Sequence, residues 1–436
     1  MADPIVDVIV QIAGEDVLAG RLWSHRRRRI ESATFSYAPA YLANPHAYEL
    51  DPLLPLSEGT HHAAGDRAMF GAFTDCAPDR WGRRLLHRSE QARAKREGGA
   101  ERRFAEVDYL LGVRDDLRQG ALRFRDLEAG RYLATEELGV PSLLELPELL
   151  SAAERLESDE ASERELRALL RAGSSLGGAR PKAHVRGGDG SLAIAKFPSP
   201  ANDDWDVMRW EAVALRLAGD AGIAVPEWRL HLIDGKAVLI VDRFDRAGDI
   251  RVGYASAMTM LEARGREQGS YLEIAEVIER TSSHAGADLE QLWRRIVFSI
   301  LISNTDDHLR NHGFLRTSSA GWRLSPAFDL NPEPGPEPKH LATAIDLDST
   351  EARLDTLLDV AGFFRLGKDD ARAVLREVSE ATRNWRAAAE ANGLDRAAIE
   401  GMRSAFEHGQ SLSGPDVDHR FDAEPARNCS PRCSAS

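Results

Sequence analysis

From Ile302 to Phe314 an apolar stretch runs into a polar loop that holds Asp306, Asp307, His308, Asn311 and His312. Moving a phosphoryl group onto a hydroxyl asks little covalent chemistry of a protein. It asks for a carboxylate to take the hydroxyl proton, a side-chain amide for Mg²⁺, and a second carboxylate for Mg²⁺ further on. Asp306 and Asn311 are five residues apart, the spacing this chemistry uses, whereas Asp307 is four away; Asp306 is therefore the better base. Beyond the loop, Gly313-Phe314-Leu315 and Trp322-Arg323-Leu324 read as strands joined by a turn at 317–321. This hairpin leads to Phe328-Asp329, where the second metal-binding acid should fall. A loop that merely capped the preceding helix would leave both the carboxylate pair and Asp329 without a purpose.

The segment upstream supplies a grip for phosphate. Residues Gly173-Ser174-Ser175-Leu176-Gly177-Gly178-Ala179-Arg180-Pro181-Lys182 form a loop rich in glycine and serine. Small residues let backbone N–H groups close on phosphate oxygens. No Gly-Lys-Ser/Thr ends the loop, so it is not a Walker A loop. Lys196 follows in the apolar strand Ala193–Phe197, where a buried ammonium needs an anion, and Glu211 on a helix over 204–217 is a plausible carboxylate partner. The strand Val238–Val241 then runs into Asp242-Arg243-Phe244-Asp245-Arg246, a hinge whose backbone can meet an adenine edge while Phe244 packs on the ring. Glycine loop, strand lysine, helix glutamate, apolar strand and acid loop follow one another in the order of a protein-kinase fold.

Around these motifs, residues 5–10, 16–22 and 33–37 read as strands, and a helix opened by Pro78-Asp79 covers Trp81 to Lys95. Residues 100–170 read as mainly helical, as do those from Leu272 onward apart from a loop-and-strand block over 304–338. The fold class expected is α+β: two kinase-like lobes, a small β-rich N-terminal subdomain and a mainly helical C-terminal lobe. The expected divisions are 1–103, 104–245, 246–411 and a disordered tail, 412–436, rich in Ser, Pro and Asp.

The chain of 436 residues holds 70 acidic and 56 basic side chains, a net charge of −14. Residues 1–103 are near neutral, with 15 Lys/Arg and 14 Asp/Glu, so the acidity lies in the rest. Two basic clusters stand out: Arg26–Arg29, and Arg80, Arg83, Arg84, Arg88, Arg93, Lys95 and Arg96. Such clusters are either contacts to nucleic-acid phosphates or a solvated turn and helix face. The overall acidity argues against a protein that grips DNA by itself. No apolar run reaches the ~20 residues of a membrane span. The start lacks the basic-then-apolar pattern of a secretory signal. Three cysteines make no disulfide framework, and Cys429 and Cys433 have no further ligand beside them for zinc. The expectation is a cytoplasmic chain without a membrane partner.

The chain resembles the HipA family, bacterial serine/threonine kinases that are the toxins of type II toxin–antitoxin pairs. The resemblance rests on Ser174 to Lys182, Ala195-Lys196-Phe197-Pro198, Asp242 to Arg246, Thr305 to Asn311 and Leu324 to Asp329. It also rests on Gly20-Arg21-Leu22, Phe35-Ser36-Tyr37, Leu53 to Leu56 and Pro78 to Arg83 in the N-terminal portion. The resemblance implies that Asp306 is catalytic, that Asn311 and Asp329 hold Mg²⁺, and that Lys196 meets the ATP phosphates. It makes Gly177, Gly178, Ala179, Arg180, Pro181 and Lys182 the phosphate loop, Asp242, Arg243 and Phe244 the adenine hinge, and His308 and Phe328 nucleotide neighbours. Ser175, with Ser174 beside it, matches an autophosphorylated serine. Asp242 stands where the family often has Glu. The implied partners are a protein substrate, after the family an aminoacyl-tRNA synthetase whose phosphorylation arrests growth, and a small helix-turn-helix HipB-like antitoxin through which alone DNA is met. Two other readings are a non-catalytic co-regulator that docks an antitoxin, and a small-molecule phosphotransferase of related fold. Intact Asp306, Asn311, Asp329 and Lys196 oppose the first; the Ser-Ser-Leu-Gly-Gly loop and N-terminal strands oppose the second.

Overall fold

The computed structural model describes residues 5–410 apart from 28–29, 64, 66, 136–138, 174–179 and 264–268. Ser174, Ser175, Gly177, Gly178 and Ala179 therefore lie outside the described residues, as does the 412–436 tail.

Val6, Val8 and Val10 alternate toward one face of the first strand and enter the main core. Strands β1 (Ile5–Ile12), β2 (Glu15–Arg27), β3 (Ile30–Tyr37), β4 (His61–His62) and β5 (Leu122–Asp126) build an antiparallel sheet in the order β4-β3-β2-β1-β5. The first three match the expected strands. β5 does not: it lies in a stretch expected to be helical, and pairs Val6 to Val10 with Asp126 to Leu122. The sheet thus crosses the boundary expected at 103. Leu122 and Phe124 alternate inward on a five-residue strand too short to show a period against its charged neighbours.

The second sheet holds β6 (Lys182–Arg186), β7 (Leu192–Lys196), β8 (Trp228–Ile233) and β9 (Lys236–Asp242), ordered β6-β7-β9-β8. Alternation along β7 decides what each residue meets. Ala193 and Ala195 face a core shared with helices Leu146–Glu157 and Glu163–Arg171 and with Trp81 and Leu85. Lys196 points the other way, toward the helix Val207–Asp220, which Asp206 caps by accepting from Arg209 N–H. A third sheet joins the expected hairpin, Gly313–Ser318 with Gly321–Leu324, to an earlier strand, Gly253–Ser256. Helices Tyr271–Thr281 and Ala285–Leu301, and those from Leu354 on, complete the C-terminal lobe.

The basic helix Arg80–Glu97 begins as expected, with Asp79 Oδ1 accepting from Gly82 N–H at 2.7 Å, and it ends where Gly98 takes the left-handed conformation at φ 63°. Its arginines from Arg83 onward are paired. Arg83 makes a two-pronged bond to Glu106, Arg84 and Arg88 meet Asp159, Arg93 meets Glu90 and Glu97, and Arg96 meets Glu163. This helix face is an ion-paired strut. Arg84 also donates to the carbonyls of Leu156 and Glu157, tying the N-terminal unit to the helices behind the second sheet. Cys76 is buried. Among the described residues no helix is long and apolar enough to cross a membrane.

Candidate active site

A cleft of about 1090 Å³ opens between the second sheet and the C-terminal lobe. Lys196 stands on its floor, 18% exposed, with Nζ donating to Glu211 Oε1 at 2.5 Å and to Asp329 Oδ1 at 2.9 Å. The three residues come from a strand, a helix and a loop 133 residues further along the chain. Burial works against a charged lysine here, but the Asp329 and Glu211 carboxylates outweigh it and raise the ammonium's pKa. For Asp329 the same burial is outweighed by Lys196, and its carboxyl is held well below the usual range. Asp329 is also held at φ 60°, a conformation that costs a non-glycine residue on the order of 1 kcal/mol or more.

The acid loop follows the buried helix Ala285–Leu301, which stops at Ile302 as Ser303 turns to φ 54°. From there neighbouring acids part ways. Asp307 is buried: Tyr271 Oη donates to its Oδ2 at 2.6 Å, Ser299 Oγ at 3.3 Å, and His312 Nε2 lies 3.2 Å from Oδ1. Burial raises its proton affinity, yet His312 and these donors overcome that and lower its pKa. Its bonds thus contribute stability above the ordinary carboxylate range, and that contribution is lost as pH falls through the depressed value. Asp306 is exposed and lines the cleft. Its pKa is raised, first by the partial desolvation of its carboxyl against the cleft wall and then by Asp329, Glu333 and Asp307, against His308. A raised pKa makes it a stronger proton acceptor, and any rate that needs its ionised form declines as pH falls through that value.

Asn311 Nδ2 donates to the Asp306 carbonyl at 3.1 Å, which leaves the amide oxygen as its acceptor. Asn311 and Asp329 line the same cleft. Two hard oxygen donors suit a Mg²⁺ ion that takes its remaining ligands from water and substrate phosphates. No group of three or more His, Cys, Asp or Glu side chains gathers for a metal among the described residues. His308 also lines the cleft, and its Nδ1 has no hydrogen-bond partner among the described residues.

At the junction of the lobes Phe244 and Phe328 face each other across 5.5 Å and both line the cleft. Asp242 is bonded to Arg229 of β8. The Arg243 side chain points away from the cleft's nucleotide side of the hinge. Its guanidinium is 1% exposed and forks onto Asp245 at 2.8 and 2.6 Å, and it donates to the carbonyls of Leu117 at 2.6 Å and Arg118 at 3.1 Å. Only its main chain is left for a ligand, because the side chain fastens the hinge to the N-terminal unit. Removing it would leave Asp245 buried with less compensation. Arg243→Ala is therefore expected to destabilise the protein by about 3–5 kcal/mol, read as a lower urea midpoint.

Arg180 pairs with Asp203 at 2.9 Å, and Pro181 and Lys182 line the cleft beside it. Lys182 Nζ donates to Asp79 Oδ2 at 2.6 Å, both side chains being less than a tenth exposed. Asp79 belongs to the N-terminal unit, which also brings Asp75, Arg80, Arg83 and Gln119 to the cleft wall. Sequence reasoning missed these residues and Arg310. Pro78 to Arg83 stood out as a motif, but nothing in it says that it faces a site a hundred residues away.

Two lobes around a cleft, with lysine, glutamate and acid loop so placed, define a protein-kinase-like fold of the α+β class. The chain belongs to the HipA family: residues 10–103 match the HipA N-terminal domain and residues 174–385 the HipA-like C-terminal domain. It is 31% identical over 160 residues to a Sinorhizobium fredii protein named "Putative kinase Y4dM", covering 33% of this chain and 38% of that one. It is 28% identical over 148 residues to a Haemophilus influenzae protein named "Putative kinase", covering 29% and 42%. The matches thus span about two fifths of each relative's length. The structure of Shewanella oneidensis HipA, solved with HipB and its operator DNA, shares the fold: TM-score 0.66 at 16% identity, over 92% of this chain and 95% of that one.

Proposed function

We propose that the protein is an ATP-dependent protein serine/threonine kinase of the HipA type. The observation that carries this reading is Lys196, bonded at once to Glu211 and Asp329 on the floor of a cleft that Asp306 and Asn311 also line. Lys196 neutralises the ATP phosphates, with Arg180, Pro181, Lys182 and the glycine loop around them. The main chain of 242–244 takes the adenine edge, and Phe244 and Phe328 take its ring. Asn311 and Asp329 would hold Mg²⁺, which when bound screens the charge of the transferring phosphate. The substrate hydroxyl gives its proton to an Asp306 carboxylate oxygen as its oxygen bonds to the γ-phosphorus and the bond to ADP breaks. A protein serine is the acceptor, and an aminoacyl-tRNA synthetase the candidate substrate, whose phosphorylation would arrest growth. The partner proposed is a HipB-like antitoxin, as in the Shewanella complex. DNA is met only through it, in keeping with a basic helix most of whose arginines are spent on intramolecular ion pairs.

Ser175, or Ser174 beside it, is the proposed site of autophosphorylation. A phosphate there adds about −1.5 to −2 charge next to the place of the ATP phosphates. Repulsion in a poorly screened cleft should then disfavour nucleotide. Protein incubated with ATP and Mg²⁺ is expected to gain one phosphate in the 173–182 peptide by mass spectrometry, and to bind ATP more weakly than the bare form. Equal affinities would end the self-inactivation idea while leaving the kinase reading standing; no phosphate on any protein would end the kinase reading.

A further inference from the structure

The N-terminal unit reaches the acid loop through the Asp75 carboxylate. Its helix Gly71–Asp75 packs on the short helix Ala257–Met260 so tightly that a Cβ on Gly71 would meet Thr259 Oγ1 at 2.7 Å. At the end of the first helix, the Asp75 side chain is 4% exposed. Its Oδ2 accepts from the Ser256 N–H at 2.7 Å, its Oδ1 accepts from the Ser256 hydroxyl at 2.8 Å, and Oδ1 lies 3.6 Å from Arg310 Nη1.

Both partners adjoin the catalytic machinery. Ser256 stands opposite Gly313 in the third sheet, and the next residue, Ala257, donates its N–H to the His312 carbonyl at 2.7 Å. Arg310 is the residue before Asn311, within the turn that follows Asp306. The loop is therefore gripped at two points, Arg310 within it and the strand that pairs with its exit. The proposed proton acceptor, metal pair and phosphate lysine make no use of Asp75. A buried carboxylate is costly to place unless its oxygens are satisfied, and here the satisfying groups all belong to the neighbourhood of the loop.

We infer that Asp75 is a positioning residue that clamps the loop bearing Asp306 and Asn311, so that the N-terminal unit forms part of the active-site frame. The inference rests on the kinase reading for its activity measurement but not for its structural one. Full-length Asp75→Ala and Asp75→Asn are compared with the wild type by hydrogen exchange and by steady-state phosphate transfer. Misplacing a catalytic group by about an ångström can cost about 10²-fold in rate. Asp75→Ala is accordingly expected to lower kcat by about that factor with KM for ATP unchanged, and to speed exchange at residues 306–313 but not along 192–196. In Asp75→Asn the amide can still accept from the Ser256 N–H and donate to its hydroxyl, so only the charge facing Arg310 is lost. This variant should show a smaller drop in kcat with faster exchange at 310–311, and it decides the matter if Asp75→Ala does not fold. Wild-type protection at 306–313 in the folded variants would overturn the inference. So would a loss of protection spread evenly over the chain, the mark of a merely structural residue. A wild type that transfers no phosphate would instead sink the kinase reading, with the exchange data still deciding the clamp.

Discussion

Asp306→Asn is expected to lower phosphate transfer by about 10²–10⁴-fold while ATP binding persists, because an amide cannot accept the hydroxyl proton. The side chain is exposed in the cleft and makes no hydrogen bond among the described residues, so the variant should keep the wild-type unfolding midpoint. Asp307 is the control. It is buried among Tyr271, Ser299 and His312, and Asp307→Asn should act chiefly by lowering stability. The comparison is made by mass spectrometry of the proteome after expression of each variant, together with nucleotide titration of the purified proteins. Transfer at the wild-type rate by Asp306→Asn would mean that another group takes the proton.

Asp329→Ala should act on a different step. It removes the carboxylate that would hold Mg²⁺, and it also takes from Lys196 one of its two carboxylate partners. Loss of a preorganised electrostatic group at a reacting phosphate commonly costs about 10²–10³-fold in turnover. Isothermal titration with and without Mg²⁺ separates this from an Asp306 effect: the gain in nucleotide affinity that Mg²⁺ confers on the wild type should disappear in Asp329→Ala and remain in Asp306→Asn. If Mg²⁺ helps both variants equally, Asp329 is not its ligand. Lys196 should stay protonated in either variant, since Glu211 remains at 2.5 Å.

Part of the candidate site was legible where its residues sit close together in the chain. The five-residue step from Asp306 to Asn311 and the hairpin before Asp329 are local patterns. Lys196 in an apolar strand also declared itself, since a buried ammonium demands a carboxylate, and the structure shows Glu211 in that place. The choice of Asp306 over Asp307 came from spacing alone. Exposure of one and burial of the other follow from Tyr271 and Ser299, whose approach no count along the chain reveals.

By itself the sequence determined the α+β class, the order of the kinase-like motifs and the start of the basic helix, because strand alternation, helix caps and loop composition act over a few residues. Tertiary structure alone decided the rest. It set the Arg243 guanidinium on Asp245 and the Leu117 and Arg118 carbonyls, and it took strand β5 from beyond residue 103 to complete the first sheet. It paired Arg88 and Arg96 of the basic helix with Asp159 and Glu163, and it brought Asp75 and Asp79 to the cleft. These outcomes depend on which way a side chain points once distant elements have packed. Packing is set by the fit of whole surfaces, so partners more than a hundred residues apart, such as Lys196 and Asp329, carry no mark of each other along the chain.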